Sequence, residues 1–565
     1  MARKILIIGG VAGGASAAAR LRRLSEDDQI IMFERGEHVS FSNCSLPYFL
    51  GGHISSSDKL VLMSPEKFLK QYNIIARTKN EVTAINRQDK TITVKDLNSG
   101  ELYTESYDKL ILSPGAKPIV PPIPGIEKIN LFTVRNVTDI NNLHHAIQDK
   151  SKQIAVIGGG FIGVEVAENL KEAGYDVSLI EAMPQILRTF DYDMVQILHK
   201  EILDHGINLL VNDKVAGFDT NTVLLGSGKK VAADIVVMAI GVSPETYLAK
   251  EAGLEIGKTG AIATSPMCQT NDPDIYAIGD AIEVDGKLFD DKWKLALAWP
   301  AQIQARGVAD HINGKNFINP AYIGSSCIKV FNLNAASTGL TEGFIQATKI
   351  DIDYETVIIT PNDKVSLMPD NSTMFFKLIF AKNTRKVLGA QAIGKGNADK
   401  RIDVIATAIK FGATIDDLTE IELCYAPPYS TAKDVVNMAG YVASNIADKS
   451  FSQVSPNKVR ELVESGAYIV DVREAPELEK GRIIGSHHIP LSELRSRYQE
   501  IPKDRSVYLH CRSGQRSYNA ALALQNLGYT NVINVAGGFL GLSYYEYFDD
   551  KTLNRNPILT AYNFN

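Results

Sequence analysis

The feature that most constrains this chain is a pattern that occurs twice: an apolar strand, a glycine turn, a helix, and a second strand ending in glutamate. In the first copy, KILIIGG leads into an alanine-rich helix from Gly14 to about Leu24, and IIMFE ends at Glu34. In the second, IAVIGGGFIGVEVAENLKEAG is followed by VSLIE, which ends at Glu181. The copies lie about 150 residues apart. That distance excludes a short-period solenoid and predicts one nucleotide-binding fold used twice.

The second turn reads G-x-G-x-x-G at Gly158, Gly160 and Gly163. Glycines there permit a tight turn, close approach of a pyrophosphate and close helix–strand packing, and the helix N-terminus offers free N–H groups. Glu181 is placed to accept from a ribose 2′-OH and to repel a 2′-phosphate, which predicts NADH over NADPH. Phe161, Ile162 and Gly241 complete this set. The first turn departs from the rule. Aligning Gly9 with Gly158 and Gly14 with Gly163 puts Val11 in the middle, which is compatible with binding if its φ stays negative. Asp280 follows Gly279 at the end of DIYAIGD, either as a cofactor contact or as a helix N-cap, two compatible roles.

At 565 residues the chain exceeds one core, and roughly 100–200 residues per domain predicts three to five units. A net charge of -6 gives no reason to expect nucleic acid or an acidic membrane surface as partner. The opening MARKILIIGG has the charge pattern of a signal peptide, but its glycines fit a first strand better. No stretch reaches the roughly 18 apolar residues of a membrane span. The five cysteines are scattered and form no C-x-x-C, the usage of a reducing cytoplasm, so any thiol chemistry falls to single cysteines. A new block with alternating β-type residues begins near Tyr322, and ADKSFSQVSPNK is the best linker before a last block from about residue 452.

Cys44 lies among small polar residues in VSFSNCSLPY. Together with GGVAGG, LILSPGAKP, GGGFIGVE, AIGD and the IKVF…ASTGL start of the third block, it resembles the single-cysteine flavoprotein disulfide reductases, and within them the coenzyme A-disulfide reductases joined to a rhodanese domain. The resemblance covers nearly the whole chain. It implies an α/β architecture of two Rossmann-like FAD/NAD-binding domains, an α+β dimerisation domain and a C-terminal α/β rhodanese domain. The expected boundaries are 1–118 with 245–320 for FAD, 119–244 for NAD, 321–447 for dimerisation and 452–565 for rhodanese. It implies FAD against Gly9, Val11, Ala12, Gly14, Glu34, Arg35, Ser113, Gly115 and Asp280, and a homodimer acting on small sulfur substrates. Cys44 would be the redox cysteine beside the flavin, its thiolate favoured by nearby positive dipoles or by a charge-transfer contact with the oxidised flavin. Peroxide- and oxygen-reducing relatives carry a His in the first glycine loop, where this chain has Ala12. That departure argues against the oxidase or peroxidase alternative.

The resemblance also implies a coenzyme A site. Arg20 and Arg22, with Arg23, either meet its phosphates or form a solvated helix face, while Ser40 and Asn43 flank Cys44 and match the family's substrate-contact positions. Tyr425 matches one family tyrosine, but the His-Ala-x-Tyr-Tyr-Pro run is here Lys364-Val-Ser-Leu-Met-Pro369, with Leu367 and Met368 in the tyrosine places. In the last block, HCRSGQRS sets Cys511 between a strand and a helix, where loop N–H groups and the helix dipole favour a thiolate or persulfide. Arg512 and Arg516 add positive charge. With DVRE, GSHHIP and AGGF, this segment resembles rhodanese. Phosphatases place five residues between Cys and Arg; here four separate Cys511 from Arg516, a loop better suited to sulfane sulfur. No metal site is expected.

Overall fold

The apolar run Lys4–Ile8 becomes the middle strand of a five-stranded parallel sheet in the order Ile275–Ala277, Lys109–Leu112, Lys4–Ile8, Gln29–Glu34, Ile75–Thr78. Both faces of such a sheet are covered, so its strands read as continuous hydrophobic runs rather than alternating ones. Ile5, Leu6 and Ile7 are fully buried. The helix Ala12–Leu24 covers the sheet and packs against the helix Ala298–Ile312. A second parallel array places Asp176–Ile180, Gln153–Ile157, Ile235–Met238 and Asn130–Phe132 side by side. The computed structural model describes residues 2–564. They group into two units: Met1–Pro184 with Leu210–Tyr322, and Gln185–Leu209 with Ile323–Asn565.

The second unit holds a five-stranded antiparallel sheet in the order Ser325–Val330, Leu333–Gly339, Val387–Gly394, Met374–Ala381, Tyr354–Ile359. It also holds a five-stranded parallel sheet in the order Ser452–Val454, Val532–Val535, Val507–His510, Tyr468–Asp471, His487–His488. The helix Tyr192–Asp204 groups by its contacts with this unit. The reason is electrostatic as well as apolar. Lys377, on the antiparallel sheet and fully buried, donates to Asp193 at 2.8 Å and lies 3.1 Å from Asp191 and beside Glu342. A buried ammonium left unpaired is costly, so the helix start is held where its carboxylates meet Lys377. Tyr192 donates to Asp549 at 3.0 Å, and His199 packs on Phe548.

Candidate active sites

The first glycine turn lines a cleft of about 390 Å³ in the first unit. Gly9 has φ +96°, and a Cβ there would strike the carbonyl of Ser113. Gly14 touches the carbonyl of Gly9 just as closely, so the helix start sits directly on the turn. Val11, in the place of the middle glycine, has φ −103°. Glu34 accepts from the N–H of Gly10 at 3.0 Å and of Gly36 at 2.8 Å, which fixes its carboxylate at the mouth of the turn. The cleft brings together Gly9, Val11, Ala12, Glu34, Arg35, Asn43, Ser113, Gly115 and Asp280 from five chain segments, while Gly14 lies beneath. Arg35 pairs with Glu245 at 2.8 Å. The buried Asn43 Oδ1 has no hydrogen-bond partner and borders the cleft. An unpaired buried acceptor, an open glycine turn and a terminal acid together fit a dinucleotide such as FAD.

Arg135 is the residue the sequence did not disclose. It lines the same cleft and reaches Asp280 at 3.5 Å. Burial pushes the Asp280 carboxyl up, and Arg135 opposes the shift. No motif marks Arg135, because it enters from the far end of a Pro-rich crossover. Gln304, also unmarked and fully buried, accepts from the Gly279 N–H at 2.8 Å and orients that turn.

Cys44 sits on a single 3-10 turn, Asn43–Ser45, followed by the short helix Leu46–Leu50. Ser40 holds this segment beside the glycine turn: its N–H donates to the Gly10 carbonyl at 2.7 Å, with φ +50°. A non-glycine residue in that region is sparsely populated and persists where surrounding contacts fix it. Ser42 and Ser45 hydroxyls meet at 2.7 Å on either side of the cysteine. The helix Leu46–Leu50 packs on the helix Phe161–Glu172, which opens at the second glycine turn, and His53 meets Glu172 at 2.9 Å. Cys44 itself is exposed. Burial of its sulfur, then the carboxylates of Glu165 and Asp280, push the thiol up, with Arg135 opposing. The protein's own side-chain charges near Cys44 are thus mostly negative, with a backbone hydrogen bond acting against them. Glu165 is pushed up to about 7 by burial and by Glu168.

At the second turn, Gly158 has φ +109° and lies against the Ala239–Ile240 backbone, just before Gly241. A Cβ at Gly160 would meet nothing, so this position is open to a ligand. Gly163 packs on the Gly158 carbonyl, and Phe161 and Ile162 begin the helix, with Ile162 exposed. Glu181 accepts from the Gly159 N–H at 2.6 Å and the Met183 N–H at 2.8 Å, repeating the Glu34 arrangement.

In the second unit, Cys511 is fully buried at the end of Val507–His510. The Gly514 N–H points at Cys511 Sγ from 3.1 Å, and the Ser517 hydroxyl lies 3.5 Å away. The AGGF glycines explain themselves here: a Cβ at Gly538, φ +58°, would press on the backbone of Cys511 and Arg512. Arg516 is held by Glu477 through bonds of 2.6 and 2.7 Å, so much of its charge is already paired. Arg512 is half-buried and makes no ion pair among the described residues, leaving its charge unpaired beside the loop. Asp471 and Arg473 form a buried pair at 2.6 Å.

The substrate residues divide. Arg22 is corrected: it is buried at 4% exposure and donates to the carbonyls of Tyr72, Ser25, Glu26, Asp28 and Asn73, so it ties chain segments together and is not free for phosphate. Arg20 is engaged by Asp310 at 2.6 Å. Arg23 is exposed. Tyr425, at 50%, and Leu367, at 88%, are exposed on the second unit. Among the described residues no cluster of His, Cys, Asp and Glu could hold a metal ion, and no helix is long and apolar enough to cross a membrane.

Comparison with known proteins agrees with this geometry. Residues 3–305 match the pyridine nucleotide-disulphide oxidoreductase family, residues 325–435 its dimerisation domain, and residues 455–543 the rhodanese-like domain. A coenzyme A disulfide reductase of Staphylococcus haemolyticus is 35% identical over 446 residues, 79% of this chain and 100% of the relative. The reduced CoADR-RHD of Bacillus anthracis superposes with TM-score 0.93 at 47% identity, covering 96% of this chain and 98% of that one. A NAD-dependent persulfide reductase from A. fulgidus gives TM-score 0.90 at 34% identity, covering 95% and 99%. Two glycine turns capped by glutamates, a single cysteine at the first cleft and a sulfur-cradling loop in a separate sheet thus place the chain in the pyridine nucleotide-disulphide oxidoreductase family, as a flavoprotein with a fused rhodanese domain.

Proposed function

We propose that this protein is an NADH-dependent reductase of CoA disulfide, CoA persulfide or polysulfide, working as a homodimer in the cytoplasm, with sulfur transfer at Cys511. The observation that carries the reading is Cys44: one exposed thiol beside the cleft of Glu34 and Asp280, with no second cysteine in a local pair. The Cys44 thiolate attacks one sulfur of a disulfide, forming a mixed disulfide and releasing the other half as thiolate. Two electrons from NADH then cleave that bond. A bound FAD supplies the route for those electrons. The Ser40 N–H holds the cysteine segment against the glycine turn, Ser40 and Asn43 contact the substrate, Arg35 and Asp280 border the cofactor, and Gly160 with Glu181 receives the nicotinamide nucleotide. Arg20 and Arg23 remain the basic candidates for CoA, and Tyr425 is the exposed family tyrosine. The domain boundaries are proposed as 1–118 with 245–320, 119–244, 321–447 and 452–565. Ala12 in the first loop, where a histidine would serve peroxide cleavage, supports sulfur over oxygen as acceptor.

The test is steady-state NADH oxidation with CoA disulfide, CoA persulfide, polysulfide, peroxide and oxygen, for wild type and Cys44→Ser. The variant is expected to keep its flavin and lose at least ~100-fold in sulfur-dependent turnover. Turnover near wild type in Cys44→Ser, or oxygen as the best acceptor, overturns the reading.

A further inference from the structure

The second unit contains a cavity of about 350 Å³ that none of the residues assigned above explains. Its walls are Ile358, Met438, Val442 and Phe451 on one side and the backbone of Ser513 and Gly514 on the other. It therefore lies against the outer wall of the loop that cradles Cys511. The size is at the low end of small-molecule sites, roughly 300–1,000 Å³.

Three features define what fits. The body is apolar, with the Tyr441 and Tyr518 rings at its edge. Carboxamides also face the cavity. Asn445 already donates to the Tyr518 hydroxyl at 3.1 Å and Gln453 to the Thr356 carbonyl at 2.7 Å. Asn534, only 5% exposed, is left with a buried Oδ1 that has no partner. An acceptor in that state costs about 1–3 kcal/mol unless something supplies a donor. Last, no carboxylate lines the cavity, and its one charged residue is Lys433, exposed, without an ion-pair partner among the described residues, and over the Tyr441 ring at 5.9 Å.

We propose that this cavity binds a small amide-bearing organic phosphate of the pantetheine type, its amide on Asn534, its apolar chain along Met438 and Phe451, and its phosphate on Lys433. The choice of ligand rests on the reading of the chain as a CoA-sulfur enzyme. Occupancy has a consequence for the sulfur loop. Gly514, a wall of the cavity, donates to Cys511 Sγ at 3.1 Å, and Thr360 donates to the Ser513 carbonyl at 3.3 Å. A ligand packed on those peptides holds the N–H aimed at the sulfur, so binding accelerates sulfur transfer at Cys511.

The experiment is calorimetric titration of the full-length, FAD-loaded protein with 4′-phosphopantothenate, which carries amide and phosphate but no thiol to react with either cysteine. Besides any binding at the proposed CoA site near Cys44, we expect one further site per chain that is weakened at least ~10-fold in both Asn534→Leu and Lys433→Met. Thiosulfate-to-cyanide sulfur transfer is expected to rise during the same titration. Should Asn534→Leu fold poorly, Val442→Trp, which fills the cavity, takes its place. No binding up to millimolar ligand overturns the proposal. So does equal affinity for inorganic phosphate, or a total stoichiometry that neither cavity variant reduces, which would put the ligand at the proposed CoA site beside Cys44 alone. The reductase reading stands or falls separately, on NADH oxidation by Cys44→Ser.

Discussion

At Cys44 the local charges oppose the form of the sulfur that reacts. Burial raises the thiol first, and Glu165 and Asp280 add to it. Removing the carboxylate of Glu165 therefore lowers the Cys44 pKa. Alkylation of Cys44 in FAD-stripped Glu165→Gln at pH 7.5 is expected to run ~3–10-fold faster than in the parent, since one pKa unit is about 1.4 kcal/mol between protonation states. An unchanged rate would mean that the two groups do not couple. The same glutamate sets a stability trend. Its carboxyl, pushed up from 4.5 to about 7, stays protonated in the folded chain after the unfolded chain has ionised. Folding thus loses stability as pH rises from about 4.5 to 7, and the loss is complete above 7. Glu165→Gln escapes it: unfolding free energies of parent and variant should coincide near pH 4.5 and separate in the variant's favour by pH 8, by on the order of 2–3 kcal/mol in urea unfolding. Arg22 gives a contrasting case. Arg22→Met strands carbonyls of Tyr72 and Asn73, so it should cost on the order of 2–4 kcal/mol in urea unfolding without selectively weakening CoA.

The glycine turns are elements whose function is visible at their ends. Glu181 closes its strand and is held by two backbone N–H groups, leaving its outer lone pairs for a ribose. Glu181→Ser removes the negative charge that a 2′-phosphate would meet. The ratio of kcat/KM for NADPH over NADH is expected to rise at least ~10-fold, and a ratio that does not move would remove Glu181 from donor selection. These turns were legible in the sequence because everything they need is local: strand, glycines, helix and acid lie within about 30 residues. The same locality made HCRSGQRS and AGGF readable. Arg135, Gln304 and Glu477 were not legible, because each reaches its site through tertiary packing from a distant segment that carries no motif. Arg22 misled for the opposite reason. Its helix shows a basic face, but the carbonyls that capture it come from Tyr72 and Asn73, some fifty residues away.

Across the whole molecule, the order of blocks was readable from the points where strand patterning changes, near Tyr322 and after ADKS. The allegiance of Gln185–Leu209 was not, since it depends on the buried Lys377 and its three acids. The two cysteines proposed to react sit in different settings. Cys44 is exposed beside a dinucleotide cleft in the first unit, whereas Cys511 is enclosed in the second, with an N–H and a hydroxyl on its sulfur. An enclosed sulfur with donors suits holding a persulfide; an exposed one beside a cofactor suits accepting electrons. The two steps are therefore expected to separate by mutation. Cys511→Ala should lose thiosulfate sulfur transfer to a small thiol by at least ~100-fold, because no other thiol sits in such a cradle. The same variant should retain most NADH-dependent reduction of CoA persulfide, which enters beside Cys44 directly. Cys44→Ser should show the reverse. Single-turnover assays with labelled sulfane sulfur on both variants and the parent distinguish the alternatives. If Cys511→Ala lost persulfide reduction as fully as Cys44→Ser, the two cysteines would form one obligatory relay and the division of labour argued from their settings would be wrong.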